Sequence, residues 1–323
     1  MPKSVLKGLS VSALAFNGVI ILNKPQGFTS HDAVAKLRGM LKTRKIGHAG
    51  TLDPMAQGVL VVLLGNATKA SDYLMGGKKR YRAGFKTGFV SDTLDIWGSV
   101  SQTGLPSPGQ EQVQNAVMSF KGGYTQVPPM YSAIQKNGVR LYDLARRGIE
   151  VERQGRRVDI EDISLISYEN GRGVIELACS KGTYIRTLCH DIGQKLGCGA
   201  VMDSLVRLGS GDFQLEKAYT LEQLQSLADG GRAEEAVIPT DRIFSSLPFI
   251  KVDDTGFKRA LNGAYIGEEM ITGGRIPESE GVLCAVYSQC GRLVILAKSG
   301  RLAVSGAPAL FHEKTFYTGD ANE

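Results

Sequence analysis

Gly47-His48-Ala49-Gly50-Thr51-Leu52-Asp53-Pro54-Met55-Ala56-Gln57-Gly58-Val59-Leu60-Val61-Val62-Leu63-Leu64 joins two unlike patterns. Its last six residues are an unbroken apolar run of the kind that forms a buried strand, far short of the roughly 18 residues a membrane-crossing helix needs. Ahead of it, two glycines, a histidine and an acid crowd into a loop, where a rigid scaffold can present chemistry. Pro54 biases Asp53 away from helical backbone, and Gly47 and Gly50 permit shapes that other residues resist. The physics of these residues alone favours an ordinary turn aspartate. A metal site is weaker still, because no second acid or histidine follows at ligand spacing.

Outward from this stretch the chain alternates short strands and helices, a mixed class of α and β. Gly18 to Lys24 reads as a strand, and Thr29 or Ser30 can cap a helix carrying Ala33, Val34, Leu37 and Leu41 on one face. Thr43 to Gly58 reads as a loop, followed by the buried strand, a helix near Ala67 to Leu74 and a strand from about Lys79. Gln110 to Phe120 has helical spacing, which Val127-Pro128-Pro129-Met130 cannot continue. A projecting element is expected there, running through the turn Lys136-Asn137-Gly138 to Arg146, Arg147, Arg153, Arg156 and Arg157. Those five arginines within twelve residues are either a solvated face or a finger that rests on a phosphate backbone. Val174 to Ala178 reads as a strand. Thr183 can then cap a helix with Ile185, Leu188, Cys189, Ile192 and Leu196 on one face, ended by Gly197. Beyond about Ser245 short strands separated by Gly and Pro predict a small β-rich domain from about Leu247 to Phe311.

A chain of 323 residues, 42% hydrophobic, can bury a sizeable core in roughly two domains. Cys179, Cys189, Cys198, Cys284 and Cys290 form no CxxC pair, and an odd count fits reduced thiols and a cytoplasmic location. Lys3 and Lys7 before Ala13 to Phe16 give a faint secretory look, which Ser10 and Ser12 interrupt. Lys and Arg outnumber Asp and Glu by 30 to 23 up to Ser245, and trail them by 8 to 9 beyond it. A cationic surplus confined to one segment suits a phosphate-bearing partner, although such a surplus commonly serves solubility.

Gly47 to Leu60, GHAGTLDPMAQGVL, resembles the signature motif of the TruB-type pseudouridine synthases. Three further segments agree in order: Asn23 to Ser30 (NKPQGFTS), Lys79 to Gly98 (KRYRAGFKTGFVSDTLDIWG) and Cys179 to Gly193 (CSKGTYIRTLCHDIG). Val127 to Gly148 (VPPMYSAIQKNGVRLYDLARRG) resembles the bacterial branch in particular, and Leu205 to Phe213 (LVRLGSGDF) matches another family motif. The resemblance covers about Gly18 to Phe213 and is looser beyond.

This resemblance implies an α+β fold, a mixed, largely antiparallel sheet with flanking helices and inserted loops, followed by a small PUA-like β-barrel. The corresponding division is an N-terminal extension over 1–17, a catalytic domain over 18–246 with an RNA-binding insertion at about 124–157, a PUA-like domain over 247–312 and a tail over 313–323. The implied reaction breaks the N1 to C1′ bond of uridine 55 in the tRNA T loop, turns the uracil and rejoins it through C5, with no cofactor and no metal.

By the same resemblance Asp53 is the catalytic carboxylate, Tyr81 stacks on the target base, Tyr184 is a second pocket tyrosine and Arg186 pairs with Asp53. His48 contacts RNA near the flipped base, Leu205 packs near the uracil, and Lys24 and Pro25 shape the wall beside the loop. A nearby cation lowers a carboxyl pKa while burial raises it, so Arg186 is expected to keep Asp53 ionised. Tyr184 and Arg186 stand two apart and cannot share a face of one regular helix. Asp92 and Asp95 read as structural acids.

The expected partner is the T stem-loop of tRNA, without guide RNA or membrane, bound by a monomer. A non-catalytic tRNA-binding module and a guide-dependent relative are rivals, as is a glycoside-cleaving enzyme. The last would ordinarily pair two carboxylates, and Asp53 has no evident partner in its motif.

Overall fold

The computed structural model describes residues 16–317 and Gly319. Most of the expected extension over 1–17, including its secretory-like stretch up to residue 15, and the end of the expected tail lie outside the described residues.

The chain runs through β1 (Gly18–Lys24), α1 (Ser30–Leu41), β2 (Ile46–Ala49), β3 (Gln57–Leu64), a 3-10 turn (Gly65–Ala70), α2 (Ser71–Met75) and β4 (Lys79–Thr87). There follow β5 (Phe89–Ser91), β6 (Val100–Gln102), α3 (Gln110–Met118), β7 (Gly122–Gln126), β8 (Gln135–Lys136), β9 (Val139–Arg140) and α4 (Leu141–Arg146). Next come β10 (Arg156–Glu169), β11 (Arg172–Cys179), α5 (Ile185–Lys195), β12 (Ala200–Ser210), β13 (Phe213–Gln214), α6 (Leu221–Asp229), β14 (Ile238–Pro239) and α7 (Thr240–Ile243). The last elements are β15 (Phe249–Val252), α8 (Asp254–Leu261), β16 (Ile266–Gly267), β17 (Ile271–Gly273), β18 (Leu283–Tyr287), β19 (Leu293–Arg301) and β20 (Pro308–Thr315).

The larger sheet has the order β14-β1-β3-β12-β4-β11-β10-β7, with β2 on β3 and β13 on β12. All its pairings are antiparallel except β3 with β12, so it is mixed and largely antiparallel as expected. The apolar run of β3 is continuous because both its faces are covered. Leu60, Val62 and Leu64 join Ile20 and Leu22 of β1 under α1, α5 and α6, while Val59, Val61 and Leu63 join Val19 and Ile21 against the opposite layer. α1 starts as its sequence predicts: Thr29 and Asp32 form a reciprocal capping box, and Ala33, Val34, Leu37 and Leu41 are buried.

Two local expectations need correction. Thr43 to Gly58 is not all loop, because Ile46–Ala49 pairs antiparallel with β3 from Ile46↔Leu64 to Ala49↔Val61. Gly47 and His48 hide this short strand, whose stability comes from its partner rather than its own propensity. Nor does Thr183 cap α5. The N-cap is Tyr184, in extended conformation, and the Thr183 hydroxyl donates to Ser180 O at 2.9 Å.

The second sheet has the order β16-β20-β19-β18-β15-β17. Its two edge strands are separated in the chain only by Glu268–Met270, so the sheet must curl back on itself. The result is a nearly closed, PUA-like barrel around Ile250, Val252, Val286, Ile295 and Leu310, plugged by Phe257 and Ala260 of α8. It is not loosely tethered. Ala70 and Phe244 form one apolar cluster with Ala285, Tyr287, Leu293, Leu296 and Phe316, and Lys69 Nζ donates to Thr315 O at 3.0 Å.

Candidate active site

The loop from Gly50 to Pro54 lies between β2 and β3 with almost every peptide group held. Ser30, buried at the start of α1, accepts from Leu52 N–H at 2.9 Å and donates to Leu52 O at 3.1 Å. Gly27 N–H donates to Pro54 O at 2.8 Å, and Ala56 N–H to Asp53 O at 3.0 Å. Arg207 of β12, wholly buried, donates to Gly50 O at 3.0 Å, Thr51 O at 3.3 Å and Val59 O at 2.6 Å. β12 can come this close because Gly58 has φ +102° and no side chain. A Cβ there would lie 2.3 Å from Arg207 O.

Two more buried cations brace the surroundings through backbone carbonyls. Lys24 Nζ donates to Pro25 O at 2.8 Å and Phe28 O at 2.6 Å, and Lys79 Nζ to Gly77 O at 2.7 Å and Met75 O at 3.3 Å. Burial lowers both ammonium pKa values to about 8. For Lys24 the Asp53 charge opposes the fall, while for Lys79 the Arg207 charge adds to it.

From this loop the Asp53 carboxylate meets Arg186 of α5, Oδ2 to Nη2, at 2.8 Å. Oδ1 receives no protein hydrogen bond among the described residues. The arginine side chain is 8% exposed and the aspartate 37%, so the cation is fixed and the acid reachable. Desolvation raises the Asp53 pKa; Arg186 is the main opposing charge, Asp95 adds to the rise and Lys24 reduces it. The expected ionising influence of Arg186 is present, yet burial outweighs it. Asp95 is buried, with Oδ2 3.8 Å from Arg186 Nη1. Arg186 therefore stands between two carboxylates, a contact that the structural reading of Asp95 did not specify. Forty-two residues separate Asp53 from Asp95, and only the fold brings them to one guanidinium. Asp92 does act structurally, accepting from Ser99 N–H at 2.8 Å.

Tyr81, on β4 opposite Arg207 and Leu177, is buried. Burial raises its phenol pKa, partly offset by Arg207 and reinforced by Asp53, so the hydroxyl stays protonated near neutrality. Leu205, two residues before Arg207, is buried in the same core opposite Ala83. His48 of β2 packs edge-on against His31, with ring centroids 5.5 Å apart. Its imidazole pKa is lowered by burial first and by His31 and Arg207 next. Its buried Nδ1 has no partner among the described residues.

Tyr184 sits in the neck and Arg186 inside α5, which resolves their two-residue spacing. Buried Gln126, the last residue of β7, accepts from Tyr184 N–H at 2.8 Å and donates to Tyr184 O at 3.1 Å. Sequence reasoning missed this residue, since a glutamine in a strand carries no signal of a partner 58 positions away. The Arg156 guanidinium lies 4.8 Å from the centre of the Tyr184 ring and also donates to Gly182 O. The five arginines thus divide. Arg156 packs on the neck and Arg153 donates to Pro128 O and pairs with Glu150, whereas Arg146, Arg147 and Arg157 are exposed. Among the described residues no cluster of His, Cys, Asp and Glu could hold a metal ion, and no helix is long and apolar enough to cross a membrane.

The arrangement offers a reachable carboxylate on a hydrogen-bonded loop, a buried guanidinium and a buried tyrosine nearby. Comparison with known proteins decides what it belongs to. Residues 38–185 match the model for the TruB family pseudouridylate synthase N-terminal domain, and residues 186–245 that for the tRNA pseudouridylate synthase B C-terminal domain. The chain belongs to the TruB family. Relatives named tRNA pseudouridine synthase B include one from Alkaliphilus oremlandii, 44% identical over 77% of this chain and 83% of its own length. The Bacillus subtilis relative is 42% identical over 84% of this chain and 92% of its own. Among solved structures, an H/ACA RNP bound to a substrate RNA containing 2′-deoxyuridine has a chain with TM-score 0.72 and 26% identity, covering 96% of this chain and 87% of that one. A Cbf5-Nop10-Gar1 complex is similar, with TM-score 0.72 and 28% identity over 94% of this chain and 86% of that one. As a TruB-family enzyme, the chain isomerises uridine to pseudouridine.

Proposed function

We propose that this TruB-family enzyme converts uridine 55 in the T loop of tRNA to pseudouridine, with Asp53 as the catalytic carboxylate. The observation that carries the assignment is the Asp53–Arg186 ion pair at 2.8 Å on a clamped loop. A uridine inside a folded loop is out of reach of a protein carboxylate, so the base must be extruded into the pocket. There Tyr81 supports the uracil, Leu205 packs against it and Tyr184 closes a second wall.

An ionised Asp53 can attack the sugar or the base covalently, or stabilise positive charge developing at the sugar. Attack on C1′, attack on C6 and elimination to a glycal all use this residue. The N1–C1′ electron pair leaves with uracil, C5 bonds to C1′ and then gives up its proton, and N1 takes one up, so the composition is unchanged and no redox partner is consumed. Arg186 orients the carboxylate and favours its ionised form. His48, with a lowered pKa and a neutral ring at physiological pH, serves recognition of RNA near the extruded base. Exposed Arg146, Arg147 and Arg157 contact phosphates, while Arg153 and Arg156 brace the insertion that carries them.

On this reading the enzyme works as a cytoplasmic monomer on free tRNA without a guide. The catalytic domain spans 18–246 with its insertion at about 124–157, and the PUA-like domain over 247–312 adds RNA-binding surface. The test is to incubate the purified protein with an unmodified tRNA transcript, adding neither guide RNA nor metal, and to map pseudouridine. Product at position 55 is expected. Asp53→Asn should form none while binding tRNA nearly as well, and rapid product formation by that variant would refute the role of Asp53.

A further inference from the structure

The chain's single tryptophan, Trp97, lies in the connection between β5 and β6 and keeps 52% of its surface exposed. Ile96 beside it, Val90 and Val100 on the two strands and Leu105 just beyond are exposed too, so apolar surface is concentrated on this hairpin. One exposed aromatic needs no explanation by itself. The mounting of this one does.

Trp97 N–H donates to Asp95 Oδ1 at 3.0 Å, and the Thr93 hydroxyl donates to the same oxygen at 2.8 Å. The other oxygen of Asp95 faces Arg186 at 3.8 Å, and Arg186 meets Asp53 at 2.8 Å. Followed through these contacts, the Trp97 backbone nitrogen lies no more than about 14 Å from the Asp53 carboxylate. The turn is fastened to β12 by Ile96 N–H to Met202 O at 3.0 Å and Met202 N–H to Leu94 O at 3.1 Å. Behind it, Asp92 packs close to Gly98: a Cβ there would fall 2.2 Å from Asp92 Oδ1 and displace that carboxylate. A large aromatic side chain is thus carried on a rigid turn built from the same aspartate that faces the catalytic arginine.

We infer that Trp97 is a stacking platform for an unpaired nucleobase of the RNA substrate, within one or two nucleotides of the uridine delivered to Asp53. This rests on the proposed RNA substrate. Extruding a base leaves its neighbours without a stacking partner, and an indole face replaces that partner whatever the base. A platform held beforehand loses little freedom on binding. Continuity with the Asp95–Arg186–Asp53 cluster favours RNA over an apolar protein partner, because the strand that delivers the uridine passes within a few nucleotide lengths of Trp97.

A single tryptophan makes its emission an unambiguous reporter. Unmodified tRNA titrated into the Asp53→Asn protein should quench that emission saturably, protect it from acrylamide, and give the affinity measured by filter retention. With Asp53 native, Trp97→Ala should weaken tRNA binding by about tenfold, Trp97→Phe by no more than about threefold, and Trp97→Leu nearly as much as alanine. Unchanged emission and acrylamide access at saturating tRNA, or full affinity in Trp97→Ala, would overturn the inference. Full rescue by leucine would overturn stacking in favour of plain apolar contact. Pseudouridine formation by the wild-type protein, assayed in parallel, separates these failures from failure of the substrate assignment, which would remove both.

Discussion

Asp53 is held in opposition, with burial favouring its neutral form and Arg186 its charged form. The net shift is upward, so on acidification the enzyme should lose kcat/KM through an apparent pKa above the ordinary aspartate value of about 3.9. Arg186→Lys keeps the charge but not the planar fork, and weakens the main force that lowers this pKa. The acid limb should therefore move to higher pH and the plateau fall by about tenfold or more, as measured by single-turnover rates across the pH range. An unmoved limb would mean that a different group titrates. Asp53 itself was visible in the sequence as an acid between glycines and a proline, but its residues alone favoured a turn, and agreement with the family motifs reversed that. Arg207 stands in the LVRLGSGDF motif with nothing beside it in sequence to mark its role. A buried arginine whose hydrogen bonds go largely to backbone carbonyls leaves no trace of its partners in the order of residues.

At the scale of elements, strands and helices followed the hydrophobic pattern wherever the sheet covers both faces or a helix covers one. The exceptions are segments held by partners distant in sequence. β2 exists through β3, and the neck before α5 through Gln126. Gln126 ends β7, the strand from which the arginine-rich insertion departs, and its amide pairs with both backbone groups of Tyr184. Gln126→Met keeps the approximate volume and removes both bonds, together with the one its amide donates to the Tyr124 hydroxyl, leaving the Tyr184 N–H without its buried partner, a loss of about 1–3 kcal/mol. Beyond a lower melting temperature, kcat should fall at least tenfold while tRNA affinity changes less than twofold, because α5 carries Arg186 from that neck. A fall in affinity that accounts for all the lost activity would assign Gln126 to RNA contact instead.

For the whole molecule, the surfaces joining the two sheets were the least legible part. Ala70, Phe244 and Phe316 come from three distant stretches, each an unremarkable apolar residue until the fold brings them together. Short strands set between glycines and prolines predict a small β-rich domain, the family resemblance implies that it is a barrel, and its curl follows from the three residues that part its edge strands. A chain ending at Ser245 should bare Ala70 and Phe244 and melt several degrees below the full-length protein in calorimetry. Equal melting temperatures would show that the catalytic half is indifferent to the barrel.

The buried cations have a further consequence, which concerns water. Gly50, Thr51 and Val59 present their carbonyl oxygens to Arg207, Pro25 and Phe28 to Lys24, and Met75 and Gly77 to Lys79. Acceptors engaged this way have less capacity to order solvent around the catalytic loop. An enzyme that must rejoin the two halves of a nucleoside after parting them is thereby built to keep away the one small nucleophile that would turn isomerisation into hydrolysis.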